Sequence, residues 1–121
     1  MLSLDTHVLI HAMTGQVTTR ERRILSAARW SVSAIVLWEL AKLAERRRIE
    51  VDLDDPELDR FLANVHIWPI TLEVVRALRR LDFSSDPADE IIAATSLVHK
   101  TPLLTRDRKI LKSRVVPLAR R

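Results

Sequence analysis

The chain contains no cysteine and a single glycine, Gly15. Each shortage removes a class of chemistry. Without cysteine there is no thiolate nucleophile, no cysteine zinc site and no disulfide. One glycine excludes both the Walker A loop and the dinucleotide-binding fingerprint, which need several to bring backbone amides against phosphate. No apolar run nears the length of a membrane span, and no signal peptide precedes Asp5, so a soluble cytoplasmic protein is expected. Aromatic residues are scarce as well, at 4%. Trp30, Trp38 and Trp68 are read as core rather than as base-stacking platforms.

What is present fits one globular domain over residues 1–121, with 47% hydrophobic residues to build its core. The formal charge is +4, and arginine dominates the basic set. Clusters fall at Arg20-Arg22-Arg23, Arg46-Arg47-Arg48, Arg79-Arg80 and Arg106-Arg108. Such a surface suits a polyanion, because the planar guanidinium can give phosphate two parallel hydrogen bonds. A merely solvated basic surface is the equal alternative.

Short apolar stretches alternate with helical ones. Strands are expected at Leu2–Leu4, Trp30–Ser33, His66–Ile70, Thr101–Thr105 and Val115–Leu118. Helices are expected over His7–Met13, from Thr18 or Thr19 to Arg29, from a Ser33 cap to Arg48, from Asp55-Pro56 to Asn64, from a Thr71 cap to Leu81, from Asp86-Pro87 to His99, and over Arg108–Leu111. Strands and helices alternating in this way predict an α/β fold on a parallel sheet. Pro69 puts the third strand near an edge, since proline cannot donate to a ladder.

Four carboxylates sit awkwardly on that scheme. Asp5 ends the first strand, Glu39 interrupts the apolar stretch Ala34 to Ala41, Asp89 precedes Ile91-Ile92-Ala93, and Asp107 follows the fourth strand. Asp5 and Asp107 can each be read as a helix N-cap. Asp86 can cap the next helix, with Asp89 at its third position as in a capping box. Glu39 lies too deep in its helix for that. Pairing with Lys42 would give it only a few tenths of a kcal/mol, whereas an unpaired buried charge costs several. In open α/β sheets, ligands sit beyond the carboxyl ends of the strands. Adjacent first and fourth strands would bring Asp5 and Asp107 together there. Carboxylates gathered in this way need a cation, and an all-oxygen set suits Mg²⁺ or Mn²⁺. The reaction class suggested is metal-assisted phosphodiester hydrolysis.

The ordered set Leu4-Asp5-Thr6-His7-Val8-Leu9, Ser33-Ala34 to Trp38-Glu39-Leu40, Asp86-Pro87-Ala88-Asp89 with Ile91-Ile92-Ala93, and Leu104-Thr105-Arg106-Asp107 resembles PIN-domain proteins of the VapC toxin type. The resemblance implies an α/β/α domain with a five-stranded parallel sheet. It implies Mg²⁺- or Mn²⁺-dependent ribonuclease activity, in a homodimer inhibited by a small antitoxin. Carried across, Asp5, Glu39, Asp89 and Asp107 become the acidic quartet. Asp5 and Asp89 would ligate metal directly, with Glu39 and Asp107 acting through water or orienting the nucleophile. Thr6 and Thr105 would hydrogen-bond the acids, and Asp86 would be an auxiliary acid or, better, the helix cap. Arg106, where many relatives have a small residue, would pair with Asp107 or contact phosphate. Arg46, Arg106 and Arg108 are candidates for RNA contact. His7 and His11 are read as packing or polar-surface residues. Two rival readings are a catalytically silent RNA- or protein-binding domain with a structural metal and a phosphatase using Asp5 as nucleophile. The latter is disfavoured because Asp5-Thr6-His7 has no second aspartate.

Overall fold

The computed structural model describes residues 1–120. Its first half follows directly from local sequence. Strand β1 (Leu2–Leu4) leads into helix α1 (Thr6–Thr14), which Asp5 caps. Gly15 stops α1 at φ 72, a left-handed conformation that a Cβ would strain. Helix α2 (Thr19–Ser26) opens on a reciprocal capping box between Thr18 and Glu21. Strand β2 (Trp30–Ser33) follows, and Ser33 caps α3 (Ala34–Glu45). The α3 helix ends before Arg48, because Arg47 takes a positive φ of 55 just past the Arg46 cap.

The second half is more broken. Helix α4 spans Pro56–Leu62 and strand β3 spans His66–Trp68. Helix α5 (Leu72–Ala77) passes into a 3₁₀ turn at Leu78–Arg80, so the α-helix expected as far as Leu81 is shorter. Helix α6 (Pro87–His99) has proline at its start, β4 is only Leu103–Leu104, and α7 is Arg108–Leu111.

The four strands form one parallel sheet in the order β3-β2-β1-β4. The expected fifth strand is reduced to one parallel bridge, Leu103 to Leu118. Leu103 donates to the Pro117 carbonyl and accepts from the Ala119 amide, both at 2.9 Å. Pro117 has no N–H with which to extend the ladder. The fold class is thus the expected parallel α/β one with helices flanking the sheet, on four strands rather than five.

The main core joins Leu4, Val8, Leu9, Val32, Val36, Leu40, Ile92, Leu103, Leu104 and Ile110. A smaller cluster, Val74, Ala77 and Ala94, fastens α5 to α6. One tryptophan departs from expectation. Trp30 and Trp68 are half-buried, but Trp38 is 54% exposed. On α3 it points opposite to Val36 and Leu40, which take the inward face.

Candidate active site

Because β1 lies between β2 and β4, the ends of those strands converge. Asp5 leaves β1 there, and α3 begins at the end of β2. Asp5 is 7% exposed and serves as the cap of α1, accepting the Val8 amide at 2.9 Å. Its other oxygen accepts the Thr105 hydroxyl at 2.5 Å. Each carboxylate oxygen has two lone pairs, so both retain capacity for a ligand. Capping and site chemistry therefore coexist in one side chain.

Glu39 accepts a short hydrogen bond from Thr6, which is itself 1% exposed. The Lys42 pairing is not formed; Lys42 reaches Glu45 instead, at 3.4 Å. Asp89, in the first turn of α6, accepts the Ser85 hydroxyl at 3.0 Å. Asp107 caps α7 by accepting the Lys109 and Ile110 amides at 2.8 and 3.2 Å through Oδ1, which leaves Oδ2 open. Its own amide donates to Thr105 Oγ1 at 3.0 Å. Thr105 thus ties Asp5 to Asp107. The Lys109 ammonium donates to the Ser84 carbonyl at 3.2 Å, holding the start of α7 against the approach to α6.

Electrostatics shows which acids feel one another. Burial raises the Asp5 carboxyl above its ordinary range, against the pull of Thr105 and Val8, and Asp89 adds repulsion. Burial likewise raises Glu39, opposed by Thr6 and reinforced by Asp89 and Asp5. Asp89 is raised first by burial, opposed by Ser85, and then by repulsion from Asp107 and Asp86. Asp89 is therefore the hub, sensing or sensed by every other member of the quartet. Among the described residues, however, no group of three or more His, Cys, Asp or Glu side chains is arranged to hold a metal ion. The acids share a field without closing into a cage.

Other expected residues are placed differently. Asp86 occupies the cap position of α6, but its side chain caps no amide. Proline at the next position has already removed one N–H. Glu90 holds the nearby backbone instead, accepting the Ser85 amide at 2.9 Å. Arg106 does not pair with Asp107. It forks onto Glu21, with Nε and Nη2 donating at 2.8 and 2.7 Å, and gives Nη2 also to the Gln16 carbonyl at 3.0 Å. Glu21 is 4% exposed, and Arg106 holds its carboxyl down to about 2. Arg108 is exposed in α7, and Arg46 is exposed at the end of α3.

Sequence reasoning missed Ser85, Glu90 and the placement of His7. His7 is exposed on α1 and lowers the carboxyls of Asp5, Glu39 and Asp89, so it stands beside all three. Its position two residues after Asp5 was the available signal.

The PIN domain family profile matches residues 2–115. The chain is 35% identical over 88 residues to Ribonuclease VapC22 of Mycobacterium tuberculosis (strain ATCC 25618 / H37Rv), covering 69% of this chain and 67% of that protein. VapBC2 from Rickettsia felis, bound to a DNA fragment from its promoter, has a TM-score of 0.75 at 16% identity, covering 98% of this chain and 96% of that one. DNA-bound VapBC from Salmonella typhimurium gives 0.71 at 20% identity, covering 98% of each chain. At those identities the solved structures speak for the fold. The profile match and the mycobacterial relative speak for descent: the chain belongs to the PIN domain family and, within it, to the VapC type.

Proposed function

We propose that this protein is a divalent-metal-dependent endoribonuclease and the toxin of a toxin–antitoxin pair, hydrolysing RNA phosphodiesters at Asp5, Glu39, Asp89 and Asp107. The observation that carries this reading is the repulsion centred on Asp89, with three carboxyls raised by burial beside one another. Helix capping accounts for Asp5 but not for Glu39 or Asp89 beside it, whereas an oxygen-preferring cation would relieve the repulsion among them. The similarity to Ribonuclease VapC22 supports the same activity.

The residues fit Mg²⁺ or Mn²⁺. All donors are hard oxygens, and such ions keep several waters while taking one or two carboxylates directly. Asp5 and Asp89 would be the direct ligands, with Glu39 and Asp107 acting through water. The bound ion would supply positive charge against the phosphate and make an attacking water more acidic. The protein's own residues do the rest. Thr105 and the Val8 amide fix the Asp5 carboxylate, Thr6 fixes Glu39, and Ser85 fixes Asp89. Glu39 and Asp107 each retain an open oxygen to orient the water or accept its proton.

The partner reading follows the family: a small antitoxin, an RNA substrate and assembly as a homodimer. Co-purification of a small protein with the chain, and relief of growth arrest on co-expression, test the antitoxin.

The basic surface equally suits one rival, a catalytically silent RNA- or protein-binding domain that keeps the acids as a structural metal site. A cleavage assay decides between them. Wild type should cut RNA only with Mg²⁺ or Mn²⁺, and Asp89→Asn should lose at least about 100-fold in rate while melting as a folded protein. Equal cleavage by both proteins would sink the assignment to this site.

A further inference from the structure

Trp38 is the tryptophan whose faces no other ring covers. Trp30 packs on Phe61 at 5.7 Å, and Trp68 stacks on His99 at 3.9 Å and meets His66 at 4.2 Å. The Lys42 ammonium lies 5.9 Å from the centroid of the Trp38 ring. A side chain of this size ordinarily contributes to folding by burial, so its 54% exposure calls for another role.

Its place on α3 suggests one. With about 100° between successive residues, Trp38 lies a little over a quarter-turn from Glu39 and away from the core. Lys42 is three residues past Glu39 and four past Trp38, which sets it between them on the helix surface. Carboxylate, ammonium and indole thus form a stripe running outward from the acidic site. Lys42 is lightly held. Its contact to Glu45 is 3.4 Å, with side chains 43% and 71% exposed, an arrangement that gains little and breaks readily.

We propose that Trp38 and Lys42 form a platform for an unpaired nucleotide beside the scissile phosphate, the indole stacking on its base and the ammonium meeting a flanking phosphate. The proposal rests on the ribonuclease reading and names two further residues of that site that would hold the RNA strand. Aromatic faces accept any base, and a neighbouring cation tracks the backbone. A protein-docking patch would add further exposed apolar residues on the same helix. The other large exposed apolar residues, from Met1 to Val115, all lie outside α3.

The test measures binding of a labelled, A-rich, unstructured oligoribonucleotide, and of a matched RNA duplex, by fluorescence anisotropy. The proteins carry Asp89→Asn to block cleavage. Adding Trp38→Ala should weaken single-strand binding by roughly 5- to 100-fold. Trp38→Phe should restore most of the affinity, and duplex binding should not respond to either. Lys42→Ala should flatten the salt dependence by about one ion. In the chain with its acids intact, Trp38→Ala should raise KM and leave kcat close to wild type. Unchanged single-strand affinity in Trp38→Ala would overturn the proposal. So would a fall in oligomeric mass with affinity per chain preserved, which would make Trp38 a contact between copies. Failure of the nuclease reading is separate, because it appears as absent cleavage in the wild type while the binding measurement still reports on Trp38.

Discussion

Thr105 shows how few atoms hold the site in register. Its hydroxyl donates to Asp5 and accepts from the Asp107 amide, so one 6%-exposed oxygen joins the first strand to the last helix. Thr105→Val keeps the shape and removes both bonds. Thermal melting should show a loss of about 1 to 2 kcal/mol, and RNA cleavage should slow by roughly 10-fold, since the Asp5 carboxylate is then fixed by the Val8 amide alone. Thr105→Ser should retain most of both. At this scale the sequence was partly legible. Glu39 stood out because no cap or pair explained it, and the structure gives it Thr6 rather than Lys42. Asp5 and Asp107 were ambiguous between cap and ligand, and both do serve as caps. The exposure of Trp38 was available from helical periodicity, because Val36 and Leu40 already claim the opposite face. Reading tryptophan as core by type hid it.

Among the elements, the loop between β4 and α7 is fastened by an ion pair 85 residues apart in sequence. No local pattern could announce the contact of Arg106 with Glu21, whereas the Thr18–Glu21 capping box was written in adjacent residues. Glu21 has a depressed carboxyl, about 2 against an ordinary 4.5. A depressed acid stabilises the fold above its unfolded value and loses that contribution as pH falls through the folded one. Stability should therefore decline from about pH 4.5 towards pH 2 through this pair. Glu21→Gln should remove about 1 to 2 kcal/mol at pH 7 and flatten that acid limb, the figure allowing for the part-exposed Arg106. Urea melts across this range would show it; an unchanged limb would assign the acid sensitivity elsewhere. The element boundaries that sequence missed share a cause in backbone rather than pattern. Arg47 turns to positive φ and shortens α3, and Pro117 denies the fifth strand its ladder.

For the whole molecule, the sheet order β3-β2-β1-β4 is decisive, because adjacency of the first and fourth strands is what brings Asp5 near Asp107. The alternation of short strands and helices predicts the parallel sheet; the adjacency of those two strands enters the sequence reading only as a condition, and the fold supplies it. The position of His7, and the failure of the acids to close into a cage, depended on tertiary detail. The net effect is a protein that holds three raised carboxyls together. Acids raised in the folded state contribute stability at low pH that is lost as pH rises through their folded values. Metal-free protein should therefore lose stability as pH rises above the ordinary carboxylate range. Asp89→Asn should raise the metal-free melting stability at pH 8 by about 1 kcal/mol, since activity and stability conflict at such a site. Addition of Mg²⁺ should stabilise the wild type by mass action and leave the variant nearly unmoved.

The most direct test of the central claim, that the four acids act as one cation site, is isothermal titration of Mn²⁺ into wild-type protein and into Asp89→Asn. The account predicts saturable binding to the wild type, accompanied by proton release as raised carboxyls ionise, and its near-complete loss in the variant. Equal binding by the two proteins, or none by the wild type in the presence of RNA, would contradict it.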